Sequence, residues 1–459
     1  MSTSLQFLRV WPGCEMAVRD PHEHTTGWVL YEQGRWFESE MSMLPRLLEP
    51  GATFVDVGAN VGVYSMAAAF IVGSKGKVVA FEPTFEAREL LEAAKQRNGF
   101  TWVDIRAEAL SDHTGQAELF FDSETELASL SRSKSGASRS VQVPLNTLDA
   151  MHAELGLSAT SLLKLDAEGA EESILRGAKN FLKASDPVIL HEIKVGTKVD
   201  LTVAKMLHDL GFAAYRQLPG LDILVPFALD GFVDPYQLNL FAVSNSHADK
   251  LAARGVLAKK IGSLAKVPLE SGMQRLSNLP YARHLSARWN GSVSSDERLT
   301  TVLALHAYVH EEAQASAADR WAAAEQALSI ALERVNESAT VPRLLTATRL
   351  AAEMGMRGLA VRTVRDALSA LRSGRTDLLD EPFLLPDRSF ELVRPAGPVE
   401  GVVLSATLAA HERLRAFSSL FTGLEGLPDL RLAALLGYAD AEMSRRRELL
   451  ERRAARSAR

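Results

Sequence analysis

Between about Thr53 and Ser244, short β-branched and aliphatic runs alternate with stretches of helical periodicity, as expected of parallel strands covered by helices on both faces. Strands are predicted at TFVDVG, KVVAFEP, WVDIRAEAL, SLLKLD, PVILHEI and LNLFAVS. Helices are predicted at GVYSMAAAFIV, TFEARELLEAAKQRN and AEESILRGAKNFL, with Thr84 as the N-cap of the second. This is the pattern of a doubly wound α/β sheet. QAELFF and SVQVPL flank the serine-rich SETELASLSRSKSGASRS, which predicts a hairpin carrying a long loop able to serve as a lid. Beyond about His247 strand signals stop, and alanine, leucine and arginine recur with helical spacing. There WAAAEQALSIAL and VRTVRDALSAL superpose, with PRLLTATRLAAEMG between them, so a loosely tetratricopeptide-like array or a plain helical bundle is expected. The expected organisation is an α/β domain with an N-terminal extension over 1–245, a linker or helical connection over 246–295, and an α-helical domain over 296–459.

Composition narrows the class. The 459 residues are 47% apolar and 24% charged, a globular balance with room for two or three domains. The single cysteine, Cys14, allows neither an internal disulfide nor a zinc–thiolate cluster, which points to a reducing compartment. The N-terminus lacks the pattern of a signal peptide and no window reads as a membrane span, so a cytoplasmic location is expected. A net charge of −6 argues against nucleic acid as partner. The arginine-rich SRRRELLERRAARSAR at the end reads as a solvated helix. Arg132, Lys134 and Arg139 in the long loop have no acid between Ala128 and Leu148 to balance them, and could meet a substrate phosphate. His22 and His24 in PHEHTTG read as exposed turn residues.

The sharpest candidate chemistry is FVDVGANVGVYS, where an apolar strand ends at Asp56 and passes through Gly58 and Gly62 into a helix. Glycines there let a ligand approach the backbone at the carboxyl end of a parallel strand. Asn60 stands where a dinucleotide fingerprint needs its second glycine, which disfavours a pyrophosphate. Glu82 ends the next strand about 20 residues on, placed to accept hydrogen bonds from two ribose hydroxyls. Both NAD and S-adenosylmethionine carry that ribose. Asp56, suited to a cationic amino-acid end, favours the second.

DVGANVGVYS, VVAFEP, AEALSDHTGQAEL, NTLD and LLKLDAEGAEESILRGA followed by ILHEI together resemble the successive motifs of FkbM-type S-adenosylmethionine-dependent methyltransferases, over roughly residues 38–243. The resemblance implies a class I methyltransferase-like sheet with an antiparallel strand near its end, preceding the C-terminal helical domain. It also implies O-methylation, often of sugar hydroxyls in glycans or natural products. It places Asp56, Gly58, Asn60 and Gly62 around the methionine part of the cofactor, Glu82 on its ribose, and Ala109 and Leu110, with Asp112 nearby, around its adenine. The helical half lies outside the resemblance and could recruit the acceptor, bind a protein partner or mediate self-association.

Methyl transfer to an alcohol needs in-line alignment and a group that takes the hydroxyl proton as the new bond forms. Asp166, His191 and Glu192 end neighbouring strands and are the candidate bases. Asp166, Glu168 and Glu192 could instead hold a divalent cation, since hard ions choose carboxylate oxygens. Lys164 could pair with a carboxylate. Glu171 and Glu172 fall in the first helical turn, where they suit the helix dipole, and Gly169 suits the tight turn before it. Two alternatives stand beside methyl transfer: an NAD-dependent oxidoreductase on the same sheet, and a non-catalytic interaction protein using the helical half.

Overall fold

Aliphatic and β-branched runs bounded by glycine turns become strands because both of their faces can be buried. The computed structural model describes residues 5–20, 24–121, 128–129, 139–195, 199–264, 267–289, 296–373 and 379–457. The chain divides into two compact units, one of residues 1–217, 226–233 and 237–253, the other of 218–225, 234–236 and 254–459. The basic loop residues Arg132 and Lys134, and His22, lie outside the described residues, as does the greater part of the proposed lid.

In the first unit the elements are β1 (Gln6–Trp11), β2 (Cys14–Val18), α1 (Thr25–Gln33), β3 (Thr53–Val57), α2 (Val63–Val72), β4 (Lys77–Phe81), α3 (Phe85–Asn98), β5 (Val103–Arg106), β6 (Ala109–Ser111), β7 (Gly115–Phe121), β8 (Arg139–Thr147), α4 (Leu148–Leu155), β9 (Thr160–Leu165), α5 (Glu171–Arg176), α6 (Lys179–Ser185), β10 (Val188–Glu192), α7 (Thr202–Asp209), β11 (Phe212–Leu218), β12 (Asn239–Ser244) and α8 (Asn245–Ala253). The main sheet has eight strands, in the order β5-β4-β3-β9-β10-β12-β11 followed by an edge strand over Ile223–Pro226. β5, β4, β3, β9 and β10 run parallel, while β12 is antiparallel to both β10 and β11. The chain winds outward from β3 in both directions, so a switch point opens between the carboxyl ends of β3 and β9. One face of the sheet packs through Val57, Phe81 and Leu165 onto Ile174, Phe181 and Leu207 of the helices α5–α7.

The structure refines several expectations. WVDIRAEAL divides into β5 and β6, which belong to different sheets, because Ala109–Ser111 leaves the main sheet to pair with Leu145–Thr147 of β8. The expected hairpin is the antiparallel pair β7 and β8, from Gly115 opposite Leu145 to Phe121 opposite Arg139. AEESILRGAKNFL is two helices, broken at Gly177, where an added Cβ would lie 2.2 Å from the Ser111 carbonyl oxygen. Thr84 precedes α3, yet its hydroxyl makes no cap bond. Its N–H instead donates to Glu82 Oε1 at 2.7 Å. β11 was not anticipated, since Arg216 and Gln217 interrupt its apolar run.

The second unit is helical: α9 (Glu270–Ser277), α10 (Pro280–Trp289), α11 (Glu297–Glu311), α12 (Ala317–Glu337), α13 (Val341–Glu353), α14 (Arg357–Arg372), α15 (Val399–Arg415), α16 (Leu427–Leu435) and α17 (Ala441–Ser457). The two similar segments fall on α12 and α14, with α13 between them. The proline-rich stretch before α15 packs inward through Phe383, Leu385 and Phe390. The basic C-terminal segment is a helix, but not a uniformly solvated one: Arg446 is buried against the Glu412 carbonyl at 2.8 Å, and Leu449 and Leu450 join the core. Among the described residues no helix is long and apolar enough to cross a membrane.

Gly177→Ala should force α5 and α6 away from β6 and cost about 1–3 kcal/mol of unfolding free energy, as overpacking does. A urea midpoint equal to that of the parent protein would show that the close approach to Ser111 carries no constraint.

Candidate functional site

The turn after β3 is a run of left-handed residues, with φ of 77° at Gly58, 51° at Asn60 and 93° at Gly62. Gly58 is required by contact as well as by conformation: a Cβ there would stand 1.7 Å from the carbonyl oxygen of Asp166. The β3 turn is thereby seated directly on the end of β9. Gly62 serves packing, because a Cβ at that position would meet Leu91 Cδ1 of α3 at 2.1 Å.

Around this turn lies a cleft enclosing about 790 Å³ of atom-free space, part of it open to solvent. Gly58, Asn60, Glu82, Ala109, Leu110 and Asp166 are among its walls. Glu82 is buried, its Oε2 accepting from the Asn60 N–H at 2.8 Å and its Oε1 from Thr84. Burial raises its pKa above the ordinary glutamate value, against the opposing effect of those N–H groups. The carboxylate therefore holds the glycine turn and the start of α3 while presenting oxygen lone pairs to the cleft. Glu108, which sequence reasoning did not select, also lines the cleft and is paired with Arg106 at 3.0 Å. Asp112, expected near an adenine, instead pairs at the surface with His113 and Arg176.

Strand alternation divides the remaining candidates. Lys164 pairs in register with Asp56, and Leu165 with both Val57 and His191, so Asp56 and Lys164 share one face of the sheet and His191 the other. Asp56, only 1% exposed, is behind the cleft wall rather than on it. Its Oδ2 accepts from Ser65 Oγ at 2.6 Å and its Oδ1 stands 4.0 Å from Lys164 Nζ. The Lys164 ammonium bonds Asp166 Oδ2 at 2.7 Å and sits over the Tyr64 ring, 5.2 Å from its centroid. Burial would lower that ammonium, and Asp166, Asp56 and Glu38 together hold it above the ordinary lysine value.

Glu38, which no pattern in the sequence singled out, completes this cluster. It accepts from the Tyr64 hydroxyl and, at 3.2 Å, from Asn239 of β12. Its neighbour Glu40 is buried; desolvation, then the Glu38 charge, push its pKa from 4.5 to about 7.

His191 does not fit the base assigned to it from sequence. It is fully buried on the α5–α7 face, absent from the cleft wall, and its pKa is lowered by burial to about 4. The cation site expected of Asp166, Glu168 and Glu192 is also not formed: among the described residues those three do not bring ligand atoms within 4.8 Å of one another, and Lys164 already neutralises Asp166. Glu168, at φ 48°, lines the cleft within the turn, and Glu192 ends β10 outside the wall. Glu171 accepts from the N–H groups of Ala167 and Gly169, capping the turn into α5. Glu172 is exposed beside Arg176.

The strand order, with β12 reversed between β10 and β11, and a cleft at the switch point define a class I methyltransferase fold. Residues 56–213 match the family model described as Methyltransferase FkbM domain, so the first unit carries an FkbM-type methyltransferase domain. The chain is similar to the AMB antimetabolite synthetase AmbE of Pseudomonas aeruginosa, 28% identical over 247 residues, a match covering 45% of this chain and 11% of that one. It thus spans about a tenth of that curated relative. Similar solved structures include a methyltransferase FkbM from Methylobacillus flagellatus, 15% identical, covering 49% of this chain and 55% of that one with a TM-score of 0.31. Another is an S-adenosylmethionine-dependent O-methyltransferase from Thermotoga maritima, 18% identical, covering 45% and 64% with a TM-score of 0.25.

Glu40 gives the cluster a pH signature. Because its folded pKa, about 7, exceeds 4.5, its contribution to stability is complete below pH 4.5 and is lost as pH rises through about 7. That contribution is on the order of 3 kcal/mol. Glu40→Gln should therefore gain stability relative to the parent between about pH 5 and about pH 8. Chemical denaturation at both pH values checks this, and a pH-independent difference would refute it.

Proposed function

We propose that this protein transfers the methyl group of S-adenosylmethionine to a hydroxyl of a saccharide or glycoconjugate at the β3–β9 cleft. The observation that carries the reading is Glu82: a buried carboxylate at the end of β4, fixed by two N–H groups and facing the cleft beside Gly58 and Asn60. A carboxylate so placed suits a ribose diol. Asn60, at the position of the missing second glycine, suits a cofactor without pyrophosphate better than NAD. Ala109 and Leu110 supply apolar surface for the adenine.

S-Adenosylmethionine supplies an electrophilic methyl on a sulfonium. In the transfer the acceptor oxygen forms a bond to that carbon as the carbon–sulfur bond breaks, and the hydroxyl proton must leave. Asp166 is the proposed base. It is partly exposed in the cleft, and Lys164 engages its Oδ2, orienting the carboxylate and leaving Oδ1 for the acceptor proton. Glu192, at the end of β10, is assigned to positioning the acceptor. A second acceptor reading, a small biosynthetic intermediate in place of a glycan, draws support from the match to an antimetabolite synthetase. The helical unit is proposed to recruit the acceptor.

Calorimetric titration should show S-adenosylmethionine binding by the full chain, weakened about 10- to 100-fold by Glu82→Ala, the range for hydrogen bonds to a charged group. Tight binding of NAD in its place, or binding indifferent to Glu82→Ala, would overturn the assignment. Asp166→Asn should spare cofactor affinity and lower turnover by about 10²- to 10⁴-fold, as loss of a general base does. The acceptor is sought by mass spectrometry of glycoconjugates and small metabolites from cells with and without the protein. A methyl increment missing only from small metabolites selects the biosynthetic alternative.

A further inference from the structure

In the helical unit, far along the chain from any motif of the α/β domain, α11 places His306 and His310 one helical turn apart on the same face. Opposite them α13 ends with Glu353. His306 Nε2 stands 3.3 Å and His310 Nε2 3.2 Å from one and the same oxygen, Glu353 Oε2. All three ligand atoms lie within 4.8 Å of one another. We propose that His306, His310 and Glu353 form a binding site for a divalent transition ion of the Zn²⁺ type.

The argument begins with an unsatisfied group. His306 is 2% exposed, and neither of its ring nitrogens makes a well-aligned hydrogen bond among the described residues, although Nε2 stands 3.3 Å from the carboxylate. Buried polar atoms are rarely left so. An Nε2–H in this misaligned geometry gains little, while a bare Nε2 lone pair would repel the carboxylate oxygen. A cation between them removes both difficulties.

Distances agree with this. Ligands held at 2.0–2.1 Å in a tetrahedron stand roughly 3.3 Å apart, the separation of each imidazole nitrogen from the shared oxygen. Two imidazoles and one carboxylate are the donors of three-ligand zinc sites, with a water in the fourth position.

The surroundings orient the carboxylate and leave charge for the ion. Arg349 donates to Oε1 of Glu353, the oxygen the histidines do not use, and fixes its plane as an outer partner does at metal sites. Arg349 also pairs with Glu391 at 3.0 Å. Two carboxylates facing one guanidinium leave acidic charge in excess beside the two imidazoles, which a dication would offset. The backbone of Gly220 lies close on Glu353, its N–H donating to the Glu353 carbonyl at 2.9 Å, so the acid has little freedom to turn away. The ion would clip the end of α13 to the C-terminal part of α11.

The full chain, free of any histidine tag and stripped with a chelator, is titrated with Zn²⁺ alone and, separately, with Co²⁺ alone. The expected results are one ion per chain, visible Co²⁺ absorption of tetrahedral intensity, and a rise in thermal midpoint on adding Zn²⁺. His310→Gln, at the less buried ligand, and Glu353→Gln, which keeps the side-chain volume, should each weaken Zn²⁺ by at least about 10-fold, the lower end for loss of an outer partner. Circular dichroism and S-adenosylmethionine binding show that each variant remains folded. Absence of binding, or a Zn²⁺ affinity unchanged in His310→Gln, would overturn the proposal in favour of a shared carboxylate hydrogen-bonding two imidazoles.

Discussion

A single buried ammonium, Lys164, organises the carboxyl edge of the sheet. Lys164 is 7% exposed and faces Asp56, Asp166 and Glu38, three acids from three separate parts of the chain. A charged amine so placed is costly unless paired, and three carboxylates without it would repel one another. The group is therefore stable only as a set. Asp166 belongs to the turn that leaves β9, Asp56 to β3, and Glu38 to the segment before the sheet. Through Glu38 the constraint reaches Asn239 of β12 and the Tyr64 hydroxyl of α2. The wall beside the cleft is thus fixed by electrostatics at its base, and the loops above it inherit their positions.

The cofactor side depends on a second constraint, steric rather than electrostatic. Gly58 lets the β3 turn rest on the Asp166 carbonyl, with no room for a side chain. The Asn60 N–H freed by that left-handed turn needs an acceptor, and Glu82 supplies it with one oxygen while the other takes the Thr84 N–H at the start of α3. A carboxylate that already holds two backbone segments is rigid before any ligand arrives. Such preorganisation lowers the entropic cost of binding. The same residue explains why the Thr84 hydroxyl forms no helix cap: its position at the start of α3 is right, and the hydroxyl is engaged by the Glu82 carboxylate instead.

Much of this was legible in the sequence, and the exceptions share a physical cause. The strand–turn–helix units and the ends at Asp56, Glu82 and Asp166 could be read because parallel strands end in polar residues where they meet a crevice. Which face each strand residue takes could not be read. A parallel strand buried on both sides is apolar throughout, so the phase of its alternation leaves no mark in the pattern. His191 and Lys164 both sit near strand ends, yet one lies among the aliphatic residues beneath α5–α7 and the other among acids. Glu38 escaped for another reason: it joins the cluster through contacts some 26 and 201 residues distant, which no local window contains. In the helical unit the alanine and leucine periodicity marked the helices, but an arginine on an apolar face looks the same in sequence whether it is solvated or, like Arg334 and Arg446, only 2% exposed with its acids beside it.

The charge count of the first cluster bears on the proposed reaction. One ammonium faces the three acids Asp56, Asp166 and Glu38, an excess of acidic groups over cations in a partly dehydrated setting, where Coulomb interactions act over greater distances than in bulk water. The proposed donor, S-adenosylmethionine, would bring a sulfonium and an ammonium that such an edge attracts, along with a carboxylate that it repels. Transfer of the methyl group removes the sulfonium charge, so the attraction falls at the moment the product forms. The proton released by the acceptor meets the same excess, which favours its transfer to a carboxylate. An edge of this kind assists binding of the charged donor and departure of the neutral thioether without any moving part.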